Sequence, residues 1–143
     1  MAPALSIRKA RPEDIERVLE LWRDAGATPK PTDTPPDLAR LLAQAQAVLL
    51  VAEADGRVVG TVVGGWDGWR GNIYRLAVLP EYRRRGIAGA LMREVDAVLA
   101  GLGARRITAL VEHDHAWAVG FWNALERAGY RHDPTMTRYV KTF

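Results

Sequence analysis

Cysteine is absent from all 143 residues, which excludes disulfides, thiolate metal sites and a cysteine nucleophile at once. No apolar run approaches the roughly 20 residues that span a bilayer, and Met1-Ala2-Pro3-Ala4 lacks the basic-then-apolar order of a secretory signal. The expectation is a cytoplasmic protein with no membrane partner. Histidine is scarce. His113 and His115 flank Asp114 without the two-turn helical spacing of a hydrolytic zinc site, so they read as a polar loop after a strand and no metal is expected. The net charge of +3 is local, concentrated in Arg83-Arg84-Arg85 and Arg105-Arg106, while Glu13, Asp14, Glu16, Glu20 and Asp24 are interspersed elsewhere. A confined basic site suits a small phosphorylated ligand better than a duplex, so no nucleic acid is expected.

What is present is one domain's worth of chain, residues 1–143, with 48% apolar and 26% charged residues. Leu5 and Ile7 alternate with Ser6 and Arg8 in a first strand over 4–10. Pro12 opens a helix with Ile15, Val18, Leu19 and Trp22 on one stripe. Thr34 reads as the N-cap of a second helix with Pro35 at its first position and Leu38, Leu41, Leu42 and Ala45 on its buried side. Val48 to Ala52 is a strand covered on both faces. Asp55-Gly56 is a hairpin signal that returns Arg57–Trp66 antiparallel, and a turn over 67–71 leads to a third strand, Asn72–Leu79.

Gly86–Leu99 shows a helical stripe of Ile87, Leu91, Val95, Val98 and Leu102, ended by Gly101 and Gly103. Arg106–Glu112 is another β run, and a strand–helix–strand unit of this length is a right-handed crossover between parallel neighbours. Trp117–Ala128 reads as a last helix with Trp117, Phe121, Leu125 and Ala128 inward, stopped by Gly129. One or two closing strands follow around Asp133-Pro134.

The stretch with chemistry in it is Leu76-Ala77-Val78-Leu79-Pro80-Glu81-Tyr82-Arg83-Arg84-Arg85-Gly86-Ile87-Ala88-Gly89. A strand ends, a basic turn follows and a helix begins at a glycine. Main-chain N–H groups at a helix start form an anion pocket, the helix dipole adds partial positive charge, and Gly86, Ala88 and Gly89 keep the approach open. Arg83-Arg84-Arg85-Gly86-Ile87-Ala88 resembles the GNAT signature Arg/Gln-x-x-Gly-x-Gly/Ala, and the preceding Leu-Ala-Val-x-Pro-Glu-Tyr is equally typical of that superfamily of acetyl-CoA-dependent N-acetyltransferases. The element order is similar along nearly the whole chain.

The resemblance implies an α/β fold of the mixed α+β kind: a mostly antiparallel twisted sheet, a parallel strand pair splayed at the cofactor site, and flanking helices. It implies that Arg83, Arg84, Arg85, Gly86, Ile87, Ala88 and Gly89 grip the pyrophosphate of acetyl-CoA. Main-chain groups of Leu76, Ala77 and Val78 would pair with the pantetheine arm as an added strand, with the Val78 N–H donating to the thioester oxygen. Relatives carry Asn-x-x-Ala-x-x-Φ-Tyr (Φ apolar) further on. Here His115 replaces the asparagine and Trp122 the tyrosine, so both are assigned to cofactor contact. An indole N–H does not usefully give up its proton, which removes the usual acid.

Positions that carry a glutamate base in some relatives hold Asn72 and Leu110, so Glu112, on the same side of its strand as Leu110, becomes the candidate base. Tyr74, placed by alternation on the face of Leu76, could orient water or donate to the departing thiolate; a buried core tyrosine is the alternative. Trp66, Asp67, Trp69 and Arg70 in the glycine-rich turn Gly64–Gly71 could frame the amine substrate, or be a hairpin with partly exposed tryptophans. The leading reading is direct transfer from acetyl-CoA to an amine. Its rival is an acyl-CoA sensor of the same fold without turnover, and a nucleic-acid-binding regulator rests on charge alone. The partners are acetyl-CoA and the amine; a homodimer is compatible with the sequence.

Overall fold

The computed structural model describes residues 4–111 and 115–143. Its elements are β1 (Ser6–Lys9), α1 (Ile15–Asp24), α2 (Pro35–Leu42), β2 (Ala47–Ala54), β3 (Arg57–Trp66), β4 (Gly71–Val78), α3 (Ile87–Leu102), β5 (Ile107–Ala109) and α4 (Ala116–Ala124). Short 3-10 turns precede α1 at Pro12–Asp14, follow β4 at Pro80–Tyr82 and continue α4 at Leu125–Ala128. The chain divides into two compact units between Ala109 and Leu110. No helix among the described residues is long and apolar enough to cross a membrane.

The first unit is a five-stranded sheet in chain order, β1 to β4 antiparallel and β4–β5 parallel. Its meander is set locally. Asp55 and Gly56 both take positive φ, 54° and 75°, the pair of left-handed residues that a two-residue turn matched to the strand twist requires. Helices cover both faces, as two neighbouring residues of β3 demonstrate. A Cβ on Gly60 would lie 3.2 Å from Ile87 and Leu91 of α3, whereas the Thr61 hydroxyl accepts the Trp22 indole N–H of α1 at 2.8 Å. Gly64 repeats the close approach, since a Cβ there would meet Val95 at 2.6 Å. Small residues on β3 thus seat α3 directly on the strand.

At the other edge Arg8 donates to both oxygens of Asp14, 2.7 and 2.9 Å, and to Glu53, fixing β1 to the start of α1 and to β2. Hydrogen bonding from Arg8, reinforced by the Arg11 N–H, holds the buried Asp14 carboxyl below its ordinary pKa.

Several expectations need correcting. The buried stripe of α3 runs Leu91, Val95, Leu99, four residues apart, while Val98 is half-buried and Leu102 exposed. Gly101 is inside that helix, and Gly103 alone ends it, with φ 116° and its N–H bonded to Ala100 O and Leu99 O. Ala45 falls beyond the end of α2 and is exposed. β5 is only three residues long because its parallel ladder to β4 stops at Ile73–Ala109.

In the second unit Trp117, Phe121, Trp122 and Tyr130 stack in sequence with ring centroids 5.2–6.0 Å apart. Ala128 is exposed, and Gly129 ends the helical run with φ 93°. The closing strands expected around Asp133-Pro134 are not formed among the described residues: 130–143 lacks a ladder partner, and Met136, Tyr139, Val140 and Phe143 are exposed.

Candidate active site

The site is organised by β4, whose two halves are out of phase. Gly71 gives its N–H to Arg106 O on the β5 side, whereas Leu79 gives its N–H to Val59 O on the β3 side, each at 2.9 Å. Eight residues of unbroken alternation would send both to the same side. The register against β3 supplies the reason: Thr61 faces Ala77 but Val63 faces Tyr74, so β4 spends one extra residue there. This bulge turns the N–H of Val78 away from β3 and toward the edge on which the β5 ladder has already ended. Leu76 and Val78 therefore carry main-chain groups that no strand among the described residues claims on that edge, while those of Ala77, between them, face Thr61 of β3.

The extra residue is held by Arg75, whose φ of 52° is left-handed. That conformation costs a non-glycine residue about 1–2 kcal/mol, and a partly buried network offsets it. The Thr61 hydroxyl, fully buried and oriented by Trp22, donates to Arg75 O at 2.9 Å. The guanidinium stacks over the Trp22 ring at 5.0 Å, donates to Thr28 O at 3.1 Å and pairs with Asp33. Arg75, Thr61 and Trp22 escaped the sequence reading as site residues, because no periodicity or turn chemistry marks a bulge at an arginine.

The same bulge corrects the placement of Tyr74. Val63 and Thr61 share a face of β3, so their partners Tyr74 and Ala77 share one as well, and Tyr74 is not on the face of Leu76. It is 46% exposed, which also removes the core alternative.

Past Val78 the chain turns through Pro80–Tyr82 into α3. Arg84 (φ 62°) and Gly86 (φ 81°) are both left-handed. The first intrahelical bond runs from Ala90 N–H to Gly86 O at 3.0 Å. The N–H groups of Ile87, Ala88 and Gly89, ahead of it in the first turn, have no intrahelical acceptor, and glycine at the N-cap supplies no side-chain one. There is no acid in the first turn of α3, and the place where a Gly86 Cβ would stand has nothing within 4 Å. An anion with several acceptor oxygens fits such an opening.

The three arginines diverge. Arg83 turns inward, Nε to Val78 O at 3.1 Å and Nη2 to Ala25 O at 2.9 Å, and burial lowers its pKa. Arg85 stacks over the Tyr82 ring at 4.9 Å. Arg84 is exposed and makes no ion pair among the described residues. The hairpin between β2 and β3 buttresses the turn: Tyr82 donates to Asp55 at 2.9 Å, a bond that raises the phenol pKa, and Arg57 pairs with Glu81 at 3.1 Å.

The turn between β3 and β4 stands at the other end of the strand, and six residues from Arg70 to Leu76 span roughly 20 Å. Asp67 accepts the N–H groups of Trp69 and Arg70 at 2.8 and 2.7 Å, and these bonds, Arg70's first, hold its carboxyl below the ordinary value. Arg70 lies over the exposed Trp69 ring at 4.0 Å. Trp66 packs on the end of α3, where a Cβ on Gly103 would be 3.4 Å from its ring. Asn72 and Thr108 join β4 to β5 through a 2.8 Å side-chain bond. In the second unit His115 is the N-cap of α4, and Trp122 is half-buried, edge-on to Phe121 and Tyr130. Glu112 lies outside the described residues, as do His113 and Asp114.

Residues 15–129 match the family model described as the acetyltransferase (GNAT) family, and the chain belongs to that family. Solved structures share its fold. A putative acetyltransferase from Agrobacterium tumefaciens is 20% identical with a TM-score of 0.76, covering 95% of this chain and 99% of its own. An aminoglycoside N-acetyltransferase solved in complex with CoA is 17% identical with a TM-score of 0.79, covering 99% and 97%. The PaiA N-acetyltransferase of Thermoplasma acidophilum, solved with coenzyme A, is 19% identical with a TM-score of 0.75, covering 85% and 87%. The mixed sheet with its parallel β4–β5 pair and flanking helices is the GNAT fold.

Proposed function

We propose that this acetyltransferase family member is an N-acetyltransferase, passing the acetyl group of acetyl-CoA directly to an amine of a small molecule or protein, with residues 1–143 acting as one domain. The observation that carries the reading is the uncapped start of α3 beside the out-of-phase edge of β4. The Ile87, Ala88 and Gly89 N–H groups would take the pyrophosphate, with Arg84 and Arg85 adding positive charge and Gly86 leaving room. Arg83 supports the turn by holding Val78 O. The pantetheine arm would lie along Leu76, Ala77 and Val78 as an added strand. Attack by the amine lone pair on the thioester carbon moves charge onto the carbonyl oxygen, to which the outward Val78 N–H would donate.

The carbon–sulfur bond then breaks, CoA leaves as thiolate and the new ammonium loses its proton. Glu112 is the proposed base. Protonation of the thiolate is left to solvent or Tyr74, since a thiol pKa of roughly 8.5 makes thiolate a tolerable leaving group. His115 and Trp122 are proposed cofactor contacts, and Trp66, Asp67, Trp69 and Arg70 acceptor contacts. Two of the structures above are named as N-acetyltransferases, one of them acting on aminoglycosides, which supports an amine acceptor.

The test is acetyl-CoA consumption with release of free thiol across an aminoglycoside, a polyamine, amino acids and a peptide N-terminus. Turnover with one class assigns the acceptor. Tight acetyl-CoA binding with no turnover across the panel would favour an acyl-CoA sensor of the same fold, and no binding would overturn both.

A further inference from the structure

Nothing in the transfer chemistry accounts for how the connection between α1 and α2, residues 25–34, is held. None of those ten residues is buried, so no apolar anchor fixes the connection. Its long-range ties include two arginines of the strand–turn segment. Arg75 donates to Thr28 O and pairs with Asp33, whose carboxylate also accepts the Lys30 N–H at 2.9 Å and so closes the 30–33 turn. Arg83 takes Ala25 O while holding Val78 O with its Nε. The connection is thereby pinned beside Arg75 at one point and beside Val78 at another, alongside the segment where the acetyl group would be presented.

We propose that Arg75 is a positioning residue that clamps the α1–α2 connection to the bulge of β4, so that one residue sets both the outward direction of the Val78 N–H and the place of the wall beside it. Three features support this. The main chain of Arg75 is the left-handed residue of the bulge, its carbonyl is captured by the buried Thr61 hydroxyl, and its guanidinium is stacked on the same Trp22 that orients Thr61. Backbone and side chain of Arg75 are therefore held by one packed unit. The meaning of that wall as the acceptor's side rests on the transfer reading above; the clamp does not.

Amide hydrogen exchange on Arg75→Gly, Asp33→Ala and Arg75→Lys, with acetyl-CoA affinity measured in parallel, tests it. Glycine adopts the left-handed φ without strain, so Arg75→Gly removes the ties and spares the bulge. The expected result is exchange at Lys30 and Asp33 about tenfold faster or more in Arg75→Gly and Asp33→Ala, unchanged exchange in β2 and β3, and acetyl-CoA affinity within about threefold. Lysine, with one nitrogen in place of a fork, should rescue only part of the protection. Unaltered exchange at Lys30 and Asp33 in both variants overturns the clamp, as does acceleration that spreads equally through β3 and β4, which would mark Arg75 as general support. If Arg75→Gly does not fold, partial loss of protection at Lys30 and Asp33 in Arg75→Lys decides, because Asp33→Ala also removes the acceptor of the Lys30 N–H. Absence of acetyl-CoA binding by the unaltered protein would sink the transfer reading while leaving the exchange result to judge the clamp.

Discussion

Strand β4 has a turn rich in arginine and glycine at each end, and the two treat their main-chain donors in opposite ways. Before it, the turn from Trp66 to Gly71 satisfies itself: the Asp67 carboxylate accepts the Trp69 and Arg70 N–H groups, and Arg70 rests on Trp69. After it, Gly86 opens α3 with no side chain to accept from Ile87, Ala88 or Gly89. Each end carries glycine, arginine and one carboxylate, Asp67 or Glu81. What separates them is one carboxylate in position to cap, and a turn that caps its own donors has none left for a phosphate.

The comparison breaks most completely at Gly86. Gly86→Val places a β-branched residue at φ 81°, in a spot with no neighbour to clash with, so the protein should stay folded by circular dichroism while the helix start is displaced. Acetyl-CoA affinity should fall about 100-fold or more by calorimetry; unchanged affinity would remove the anion site. Gly86→Asp instead imports the hairpin's own device, since aspartate tolerates the left-handed region and brings a negative charge to the donors. An affinity loss of roughly 10- to 100-fold is expected, diminishing at high salt.

Arg84→Ala should be milder, about three- to tenfold weaker binding with a shallower dependence on salt, because Arg84 is exposed and, unlike Arg85, has no ring to rest on among the described residues. Equal effects of Arg84→Ala and Arg85→Ala would mean that stacking on Tyr82 does not restrain Arg85. The smallest effect is expected at Asp67→Ala, which should leave acetyl-CoA affinity within about twofold while the Trp69 and Arg70 amides exchange roughly tenfold faster.

Acid gives the same answer by another route. The folded-state pKa of Asp67 lies below its unfolded value of about 3.9. Its contribution to the hairpin is therefore complete above that value and is lost as pH falls through the lower, folded one. A carboxyl resonance of Asp67 titrating at or above the ordinary value would show that the two N–H bonds do not hold in solution.

Much of the fold was legible because its determinants are local. Asp55-Gly56 bounds β2 and β3, Thr34 caps α2 by accepting the Asp37 N–H three residues on, and Gly86 and Gly103 bracket α3 with positive φ. Such signals act within a few residues, where φ preference and side-chain reach leave little choice. The turn that leads into α3 belongs to this class.

The face of Tyr74, the direction of the Val78 N–H and the inward course of Arg83 were not legible, and alternation along β4 misplaced Tyr74. These depend on partners far off in sequence: Thr61 reaches Arg75 across 14 residues, Arg75 reaches Thr28 and Asp33 across 47 and 42, and Arg83 reaches Ala25 across 58. The sequence by itself determined where α3 begins with its first N–H groups uncapped, since a glycine at a helix start brings no side-chain acceptor. Only the tertiary structure decided which way the adjoining strand presents its N–H groups. A bulge reverses every later residue of a strand, and whether one forms at an arginine is settled by the distant side chains that stabilise it.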